Sequence, residues 1–389
     1  MADHYENLPQ EGGNPSTPLA GDVTGPLDAT VVSSVSGASK VVNDSSVGGA
    51  TVKDALNVLL AGGGGGSSVP VRWWDIKPAN GKVLPVSAPR AYYPAVLYSA
   101  TPAFNDGTNL RKYVAYYGAG TAPKFSCAAF SDDGITWNNE QQLSGVVGDA
   151  YHASTIVVAG VIHYFYWDTT VTIYSPGASR HATFNPAVSC IASTSDAPLT
   201  GNYITGLAGD LRYGTYGIDQ IFYNAAPTNN PANPYSYQWC VIHNGTTGVL
   251  EGVLFATSPD GLNFSAYNGL TEVISRSVAG WDKMIGRMNT FIDSAGLWHA
   301  FYSGGLGTGG GEDSNFAGGL GYATSMNGIT WTTLDKNPII RKTEMFKSWK
   351  RLYCPWIVKD GAGNYTMYFS CKNSAGTYVV AIATLGGTI

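Results

Sequence analysis

Polar and aromatic side chains recur at the leading ends of apolar segments: Arg90, Tyr92 and Tyr93; Asp149, Tyr151 and His152; Asp219 and Gln220; Arg287 and Asn289; Tyr353 and Trp356. Aromatic faces of this kind stack on a sugar ring, and the polar ends bond its hydroxyls. The candidate ligand-binding residues are therefore Tyr92, Tyr93, His152, Asp219, Gln220, Arg287, Asn289 and Trp356. Hydrolysis of a glycosidic bond asks for more. It needs one carboxyl that donates a proton and a second that acts as base or nucleophile. The carboxylates placed to try are Asp75, Asp219 and Glu251. Asp219 heads its segment, whereas Glu251 falls on a third strand, further from these ends. Plainer roles stand beside the chemical ones. Asp219 suits a loop-end carboxylate, His152 a partly buried strand residue, and Arg287 a partner of Asp282 or Asp219. His163, His181, His243 and His299 show no pair at metal-ligand spacing and read as packing or surface residues.

The segments that carry these residues repeat. A short apolar strand ends in small or hydroxyl residues at Ala128-Ala129-Phe130-Ser131, Ile191-Ala192-Ser193-Thr194, Phe255-Ala256-Thr257-Ser258, Tyr322-Ala323-Thr324-Ser325 and Ile382-Ala383-Thr384-Leu385. The final positions, 131, 194, 258, 325 and 385, lie 63, 64, 67 and 60 residues apart. A fixed period of this length marks one supersecondary unit used repeatedly. The unit is all strand and long enough for a four-stranded sheet, and such sheets close radially into a propeller. Three copies run into a turn and an aromatic: Ser131-Asp132-Asp133-Gly134-Ile135-Thr136-Trp137, Ser258-Pro259-Asp260-Gly261-Leu262-Asn263-Phe264 and Ser325-Met326-Asn327-Gly328-Ile329-Thr330-Trp331. The glycines allow φ > 0, the Asp or Asn accepts backbone N–H bonds, and the aromatic packs between blades.

The expected fold is all-β, a five-bladed β-propeller over 71–389. Its blades take strands at 92–99, 113–117, 126–131 and after 137; at 152–158, 161–167 and 189–193; at 219–224, 237–243 and 252–257; at 287–292, 298–302 and 320–324; and at 353–358, 365–370 and 378–383. The last blade lacks a fourth strand. Val71-Arg72-Trp73-Trp74-Asp75 is the expected donor, since closure removes exposed edges.

Composition agrees with this class. The chain has 389 residues, 49 of them Gly, with 12% aromatic and only 13% charged residues. Low charge with abundant aromatic residues fits β-sheet rather than disorder. A net charge of −5 leaves no electrostatic footprint for nucleic acid. No apolar run approaches the roughly 20 residues of a membrane span, and residues 1–13 carry no apolar core of a secretory signal. The cysteines, Cys127, Cys190, Cys240, Cys354 and Cys371, stand singly and read as buried small apolar residues, with Cys127 and Cys190 in the same slot of successive repeats. No cofactor and no metal site are indicated.

The first 68 residues differ, with no Trp or Phe and one Tyr. They read as an extended N-terminal segment over 1–61 with one short helix at 51–60, where Val52, Ala55, Leu56 and Leu59 form a stripe. Such a stripe buries itself against its own copies or a partner. Residues 62–70, opening with five glycines, read as a hinge.

Two resemblances follow. Arg90-Ala91-Tyr92-Tyr93-Pro94-Ala95-Val96, the turn at 258–264, Trp298-His299-Ala300-Phe301-Tyr302-Ser303-Gly304 and Asn337-Pro338-Ile339-Ile340 resemble the five-bladed propellers of glycoside hydrolases of the arabinanase, xylosidase and invertase group. The turns also resemble the Asp-box of sialidases, one residue shorter. The hydrolase resemblance implies an inner-strand Asp in blades one and two, a Glu in blade three, and calcium in the funnel by analogy. This chain departs from that pattern, with tyrosines in blade one and His152 in blade two, which weighs against hydrolysis. The N-terminal Gly-Asp-Val-Thr-Gly-Pro at 21–26 and Asn-Asp-Ser-Ser-Val-Gly-Gly-Ala-Thr-Val-Lys-Asp-Ala-Leu at 43–56 resemble the attachment regions of bacteriophage tail or head fibres. That resemblance implies a virion location, docking on other virion proteins through residues 1–61, a homotrimer, and a C-terminal part that meets a host-surface glycan. The rival expectations are a depolymerase that uses the same funnel, and a head-decoration fibre with no specific glycan.

Overall fold

The computed structural model describes residues 23–24, 31–32, 41–42, 74–76, 82–120, 125–147, 150–168, 170, 179–200, 213–223, 235–245, 248–266, 272–274, 280–293, 295–306, 318–334, 337–341, 351–372 and 376–385. Their side chains are described except at 74–76, 82, 150–152, 213–220, 222, 235–245, 248–251, 254, 266 and 385. The chain divides into two compact units, Met1–Val71 with Gly387–Ile389, and Arg72–Gly386. The described strands of the first are β1 (Val23–Thr24), β2 (Val31–Val32) and β3 (Val41–Val42), antiparallel in that order. All six residues are β-branched, which favours extended backbone. The helix expected at 51–60 and the glycine run at 62–66 lie outside the described residues.

The second unit is all-β and propeller-like, with no helix among the described residues. Its strands are β4 (Trp74–Ile76), β5 (Lys82–Leu84), β6 (Ala91–Tyr98), β7 (Phe104–Asn105), β8 (Leu110–Arg111), β9 (Tyr113–Ala119), β10 (Phe125–Ser131), β11 (Asn138–Gln142), β12 (Ala150–Val158), β13 (Val161–Asp168), β14 (Ser179–Phe184), β15 (Ser195–Pro198), β16 (Tyr213–Tyr223), β17 (Tyr235–Gly245), β18 (Gly248–Ser258), β19 (Ser265–Ala266), β20 (Met284–Ile292), β21 (Trp298–Gly305), β22 (Gly319–Ser325), β23 (Thr332–Thr333), β24 (Ile340–Arg341), β25 (Arg351–Lys359), β26 (Tyr365–Lys372) and β27 (Tyr378–Leu385). They form antiparallel sheets in the orders β6-β9-β10-β11, β12-β13-β14-β15, β16-β17-β18-β19, β20-β21-β22-β23 and β25-β26-β27-β4. Two short strands join at the side, β24 on β22 and β5 on β27. The first strand of each sheet adjoins the first strand of the next, and β25 adjoins β6.

Strand composition explains the layering. β9 (YVAYYGA) and β21 (WHAFYSGG) are buried at every residue. A strand covered on both faces by neighbouring sheets reads as a continuous apolar run rather than an alternation. The outer strand β11 (NNEQQ) is polar and partly exposed, as an edge facing water should be.

The closing strand comes from the expected place. β4 pairs with β27 through Ala383↔Ile76, Thr384↔Asp75 and Leu385↔Trp74, so a segment preceding the first sheet completes the last one. The turns also take the expected form. Ser131 Oγ accepts from Gly134 N at 2.9 Å, and Asp133 Oδ1 accepts from Ile135 N at 2.8 Å and Thr136 N at 2.7 Å. The turns at Ser258 and Ser325 repeat these bonds, with Asp260 and Asn327 in the acceptor role. Gly134 has φ of 73°, and a Cβ there would lie 2.7 Å from the Tyr368 hydroxyl, so only glycine suits the position. Trp137 then packs against Tyr368 of the last sheet, with ring centroids 5.9 Å apart.

One expected strand moves. The third strand of the second sheet is β14, not 189–193. Ala182 and Phe184 are among its buried residues, and Asn185 Oδ1 accepts from Ala187 N in the turn that follows. Cys127 and Cys190 therefore do not share a slot. Cys127 lies on β10, while Cys190 lies beyond β14 beneath Tyr116, whose hydroxyl donates to the Cys190 carbonyl at 2.9 Å. Cys127, Cys190, Cys354 and Cys371 are all buried free thiols.

Candidate functional site

Each first strand breaks its register near its leading end. The slips fall between Tyr92 and Ala95, Tyr151 and Ser154, Gly286 and Asn289, and Tyr353 and Trp356, while β16 slips twice between Thr215 and Gln220. A bulge sets two residues against one and re-aims a side chain. Pro94 and Pro355 sit at two of these bulges, where a ladder N–H is dispensable. Tyr93, Arg287 and Cys354 occupy the left-handed region, with φ of 53°, 56° and 51°. A non-glycine residue there stores roughly 1–3 kcal/mol of strain, and strain of this kind gathers at binding and catalytic sites.

Neighbouring sheets hold the bulges in place. Tyr93 N donates to Ser370 Oγ at 2.8 Å, and Cys354 N donates to Ser303 Oγ at 2.9 Å. Both serines are buried. Replacing Ser303 with Ala would leave the Cys354 amide without this acceptor inside the protein, at a cost of about 1–3 kcal/mol. We expect Ser303→Ala and Ser370→Ala each to lower the urea-unfolding free energy by that amount. An unchanged midpoint would show that these joints carry no stability.

The bulges bring together one aromatic and cationic cluster. Tyr92, Tyr93, Met284, Tyr353 and Cys354 pack as a buried group, with Trp167 and Tyr378 against it. Arg287 Nε donates to Tyr353 Oη at 2.7 Å, and Tyr353 Oη donates to Tyr93 Oη at 3.4 Å. The Arg287 guanidinium lies 5.7 Å from the Tyr93 ring centre and 5.4 Å from that of Tyr353. The Arg351 guanidinium lies 3.8 Å from the Tyr353 ring centre and 5.7 Å from that of Tyr378. Arg90 Nη1 donates to Tyr92 Oη at 3.2 Å, and its guanidinium is 5.7 Å from the Tyr378 ring centre. Lys372 Nζ approaches the same ring to 5.0 Å. Cation–π contacts on this scale fix guanidinium planes against phenol rings. The result is a set of oriented N–H and O–H donors among aromatic faces.

The expected residues divide into groups. Tyr92, Tyr93 and Arg287 meet in this cluster. Asn289 and Trp356 lie just past their bulges and join sheets instead. Asn289 Oδ1 accepts from Ile357 N at 2.8 Å, and Trp356 Nε1 donates to the Val96 carbonyl at 2.7 Å from within the main core. Both are nearly fully buried. The strands bearing Asp75, His152, Asp219, Gln220 and Glu251 are described, but their side chains lie outside the described residues. Glu251 is on β18, a third strand, opposite Ile242. Arg351, Tyr378 and Lys372 escaped the sequence reading. Arg351 had a signal: Arg351-Leu352-Tyr353 repeats the Arg-x-Tyr spacing of Arg90-Ala91-Tyr92, and a period of two puts both side chains on one face. Tyr378 and Lys372 reach the cluster only through sheet pairing, across Lys372↔Tyr378.

The hydrolase resemblance implies calcium in the funnel. The described side chains of the cluster are cations and phenols, and no group of three His, Cys, Asp or Glu among the described residues could hold a metal. Such a donor set does not suit a hard divalent cation, which takes carboxylate and carbonyl oxygens.

No protein-family model matches the chain, and no curated protein matches its sequence. Solved structures do match. A thermostable family-43 glycoside hydrolase has a TM-score of 0.54 and 13% identity, covering 76% of this chain and 90% of its own. An endo-1,4-beta-xylanase from Bacteroides thetaiotaomicron has a TM-score of 0.51 and 16% identity, covering 78% and 97%. An N-acetylgalactosamine deacetylase from F. plautii, solved with blood group B trisaccharide, has a TM-score of 0.51 and 13% identity, covering 78% and 92%. At these identities the likeness shows the fold alone: an all-β propeller of the kind found in glycoside hydrolases.

Proposed function

We propose that this chain is a bacteriophage virion fibre protein whose propeller binds a host-surface glycan without cleaving it. One observation carries the binding part. Strained bulges of separate sheets aim Tyr93 and Arg287 into a single cluster with Tyr92 and Tyr353 at the leading ends of the first strands. The fold is one whose solved relatives include proteins that act on or were solved with carbohydrate. The finer architecture in this reading is five blades, the sheets begun by β6, β12, β16, β20 and β25. The fibre part rests on the sequence of 21–26 and 43–56, with residues 1–61 docking on the particle, 62–70 as hinge, and a homotrimer displaying three propellers. Display in threes raises avidity for a repeated glycan even where one site is weak.

Hydrolysis is the second reading, favoured by the hydrolase neighbours. A retention assay on a panel of bacterial surface polysaccharides, followed with a reducing-sugar assay, separates the two. The binding reading expects saturable retention, no new reducing ends, and about tenfold weaker retention for Arg287→Met. Release of reducing sugar that Asp219→Ala or Asp75→Ala abolishes would replace it with the depolymerase reading.

A further inference from the structure

Much of the exposed apolar surface gathers at one end of the propeller. The first and third strands of a sheet run in the same direction, so they finish together, at the end opposite the bulges. Leu110, Ile135, Val157, Val188, Ile292 and Met326, large hydrophobic residues that are 40–78% exposed, all stand at this end. Val86, Val147 and Leu306 lie elsewhere. Such residues scattered singly need no explanation, whereas their gathering on one face marks an interaction surface. The described carboxylates of the same turns are engaged within the chain. Asp133, Asp260, Asp293 and Asp360 accept backbone N–H bonds of their own turns, and Asp132 pairs with Arg111 at 2.7 Å. They fix the turns that display the apolar side chains.

Two features say what meets this surface. The chain enters the propeller here, since Trp74, the first residue of β4, pairs with Leu385, the last of β27. Copies held together through the residues before β4 carry these ends into each other's reach, and tethering raises their effective concentration. The second feature is the placing of the two most exposed residues of the set. Val188 follows the third strand of the second sheet and Met326 that of the fourth, and these sheets are not neighbours in the ring. In a closed ring of copies each contact joins two different patches. We propose that this end of the propeller packs against the same end of neighbouring copies in the homotrimer, with Met326 of one copy near Val188 of the next. The inference rests on the homotrimer of the reading above and names the surface that it uses.

The test uses the full chain. Light scattering after size exclusion gives its mass, and sedimentation equilibrium gives the affinity between copies. Met326→Asp is expected to weaken association about tenfold or more, because a buried Met contact is lost and a charge takes its place. The turn accepts the change, since Asp132 holds the same place in the first turn. A Val188→Cys, Met326→Cys double variant treated with a short bis-maleimide is expected to give covalent trimers. Leu306→Cys, at the opposite end, should give none, and the natural chain treated alike is the blank for its own thiols. No covalent trimer from the double variant, or unchanged affinity for Met326→Asp, in a chain that scatters as a trimer overturns the inference and leaves the homotrimer standing. A monomeric mass overturns both. A dimeric mass with cross-linking of the double variant keeps the surface and replaces the trimer with a pair.

Discussion

Glu140→Ala is expected to lower the stability of the propeller by about 1–3 kcal/mol, as loss of the charge-assisted hydrogen bonds of a half-buried carboxylate does. Glu140 sits on β11, the outer strand of the first sheet. Its carboxylate accepts from Val86 N at 2.8 Å, Ser87 N at 3.2 Å, Ala88 N at 2.6 Å and Ser87 Oγ at 2.7 Å, and also from the Tyr117 hydroxyl. Residues 86–88 follow β5, which pairs with β27 of the last sheet. One side chain thus fastens the ring-closing segment to the first sheet. Burial alone would raise the pKa of Glu140. The bonds from Tyr117, Ser87, Ala88 and Val86 outweigh it and hold the carboxyl below its usual range. Burial first, and then the bond to Glu140, push Tyr117 far up, so the pair is carboxylate and phenol at neutral pH. Tyr117→Phe removes one donor and should cost only about 1 kcal/mol. Urea unfolding measures both. A loss below about 1 kcal/mol for Glu140→Ala would mean that closure relies on β4 pairing alone.

Acid is expected to weaken the fold in the histidine range, above the range in which the held-down carboxylates Asp133 and Asp260 act. His163 Nδ1 and His181 Nε2 stand 3.0 Å apart with stacked rings, and Phe165 stacks on His181 at 4.5 Å. One ring must donate and the other accept, so at least one is neutral. Burial, and then the charge of His163, bring His181 down to about 4, while burial alone lowers His163. In the unfolded chain a histidine titrates near 6.5. Between these values the unfolded state binds more protons. Stability is therefore full above about pH 6.5 and falls as pH drops toward 4, by about 3 kcal/mol for His181. The held-down carboxylates act in a separate window. Asp260, at about 2, and Asp133 contribute stability that is present above the ordinary carboxyl range and lost only below it. Unfolding midpoints at pH 7 and pH 4.5 should differ markedly in the natural chain. They should converge in a His163→Gln, His181→Phe double variant. Equal pH slopes in the two proteins would contradict this assignment.

Local signals made the repeat, the turns and the closing strand legible. A Ser-x-Asp-Gly turn writes its own hydrogen bonds within seven residues, and an unpaired last blade calls for a strand from elsewhere. The third strand of the second sheet was not legible. Ile191-Ala192-Ser193-Thr194 matches the repeat in composition, while Ser179–Phe184 takes the place by pairing with β13. That Tyr92, Tyr93 and Arg287 meet in one cluster was legible because they head their strands. Asn289 and Trp356 share those residue types but sit past a bulge, and what they touch is decided by the neighbouring sheet. Tyr378 and Lys372 stand at the other end of a strand pair, so only the folded register brings them in.

The most direct measurement is a crystal structure of the chain with an oligosaccharide cut from a polymer that it retains. The account predicts sugar at the leading ends of β6 and β25, with hydroxyls bonded to Tyr92 or Tyr378. Sugar bound on the outer strands, or at the opposite end of the first strands near Asp293 and Asp360, would contradict it.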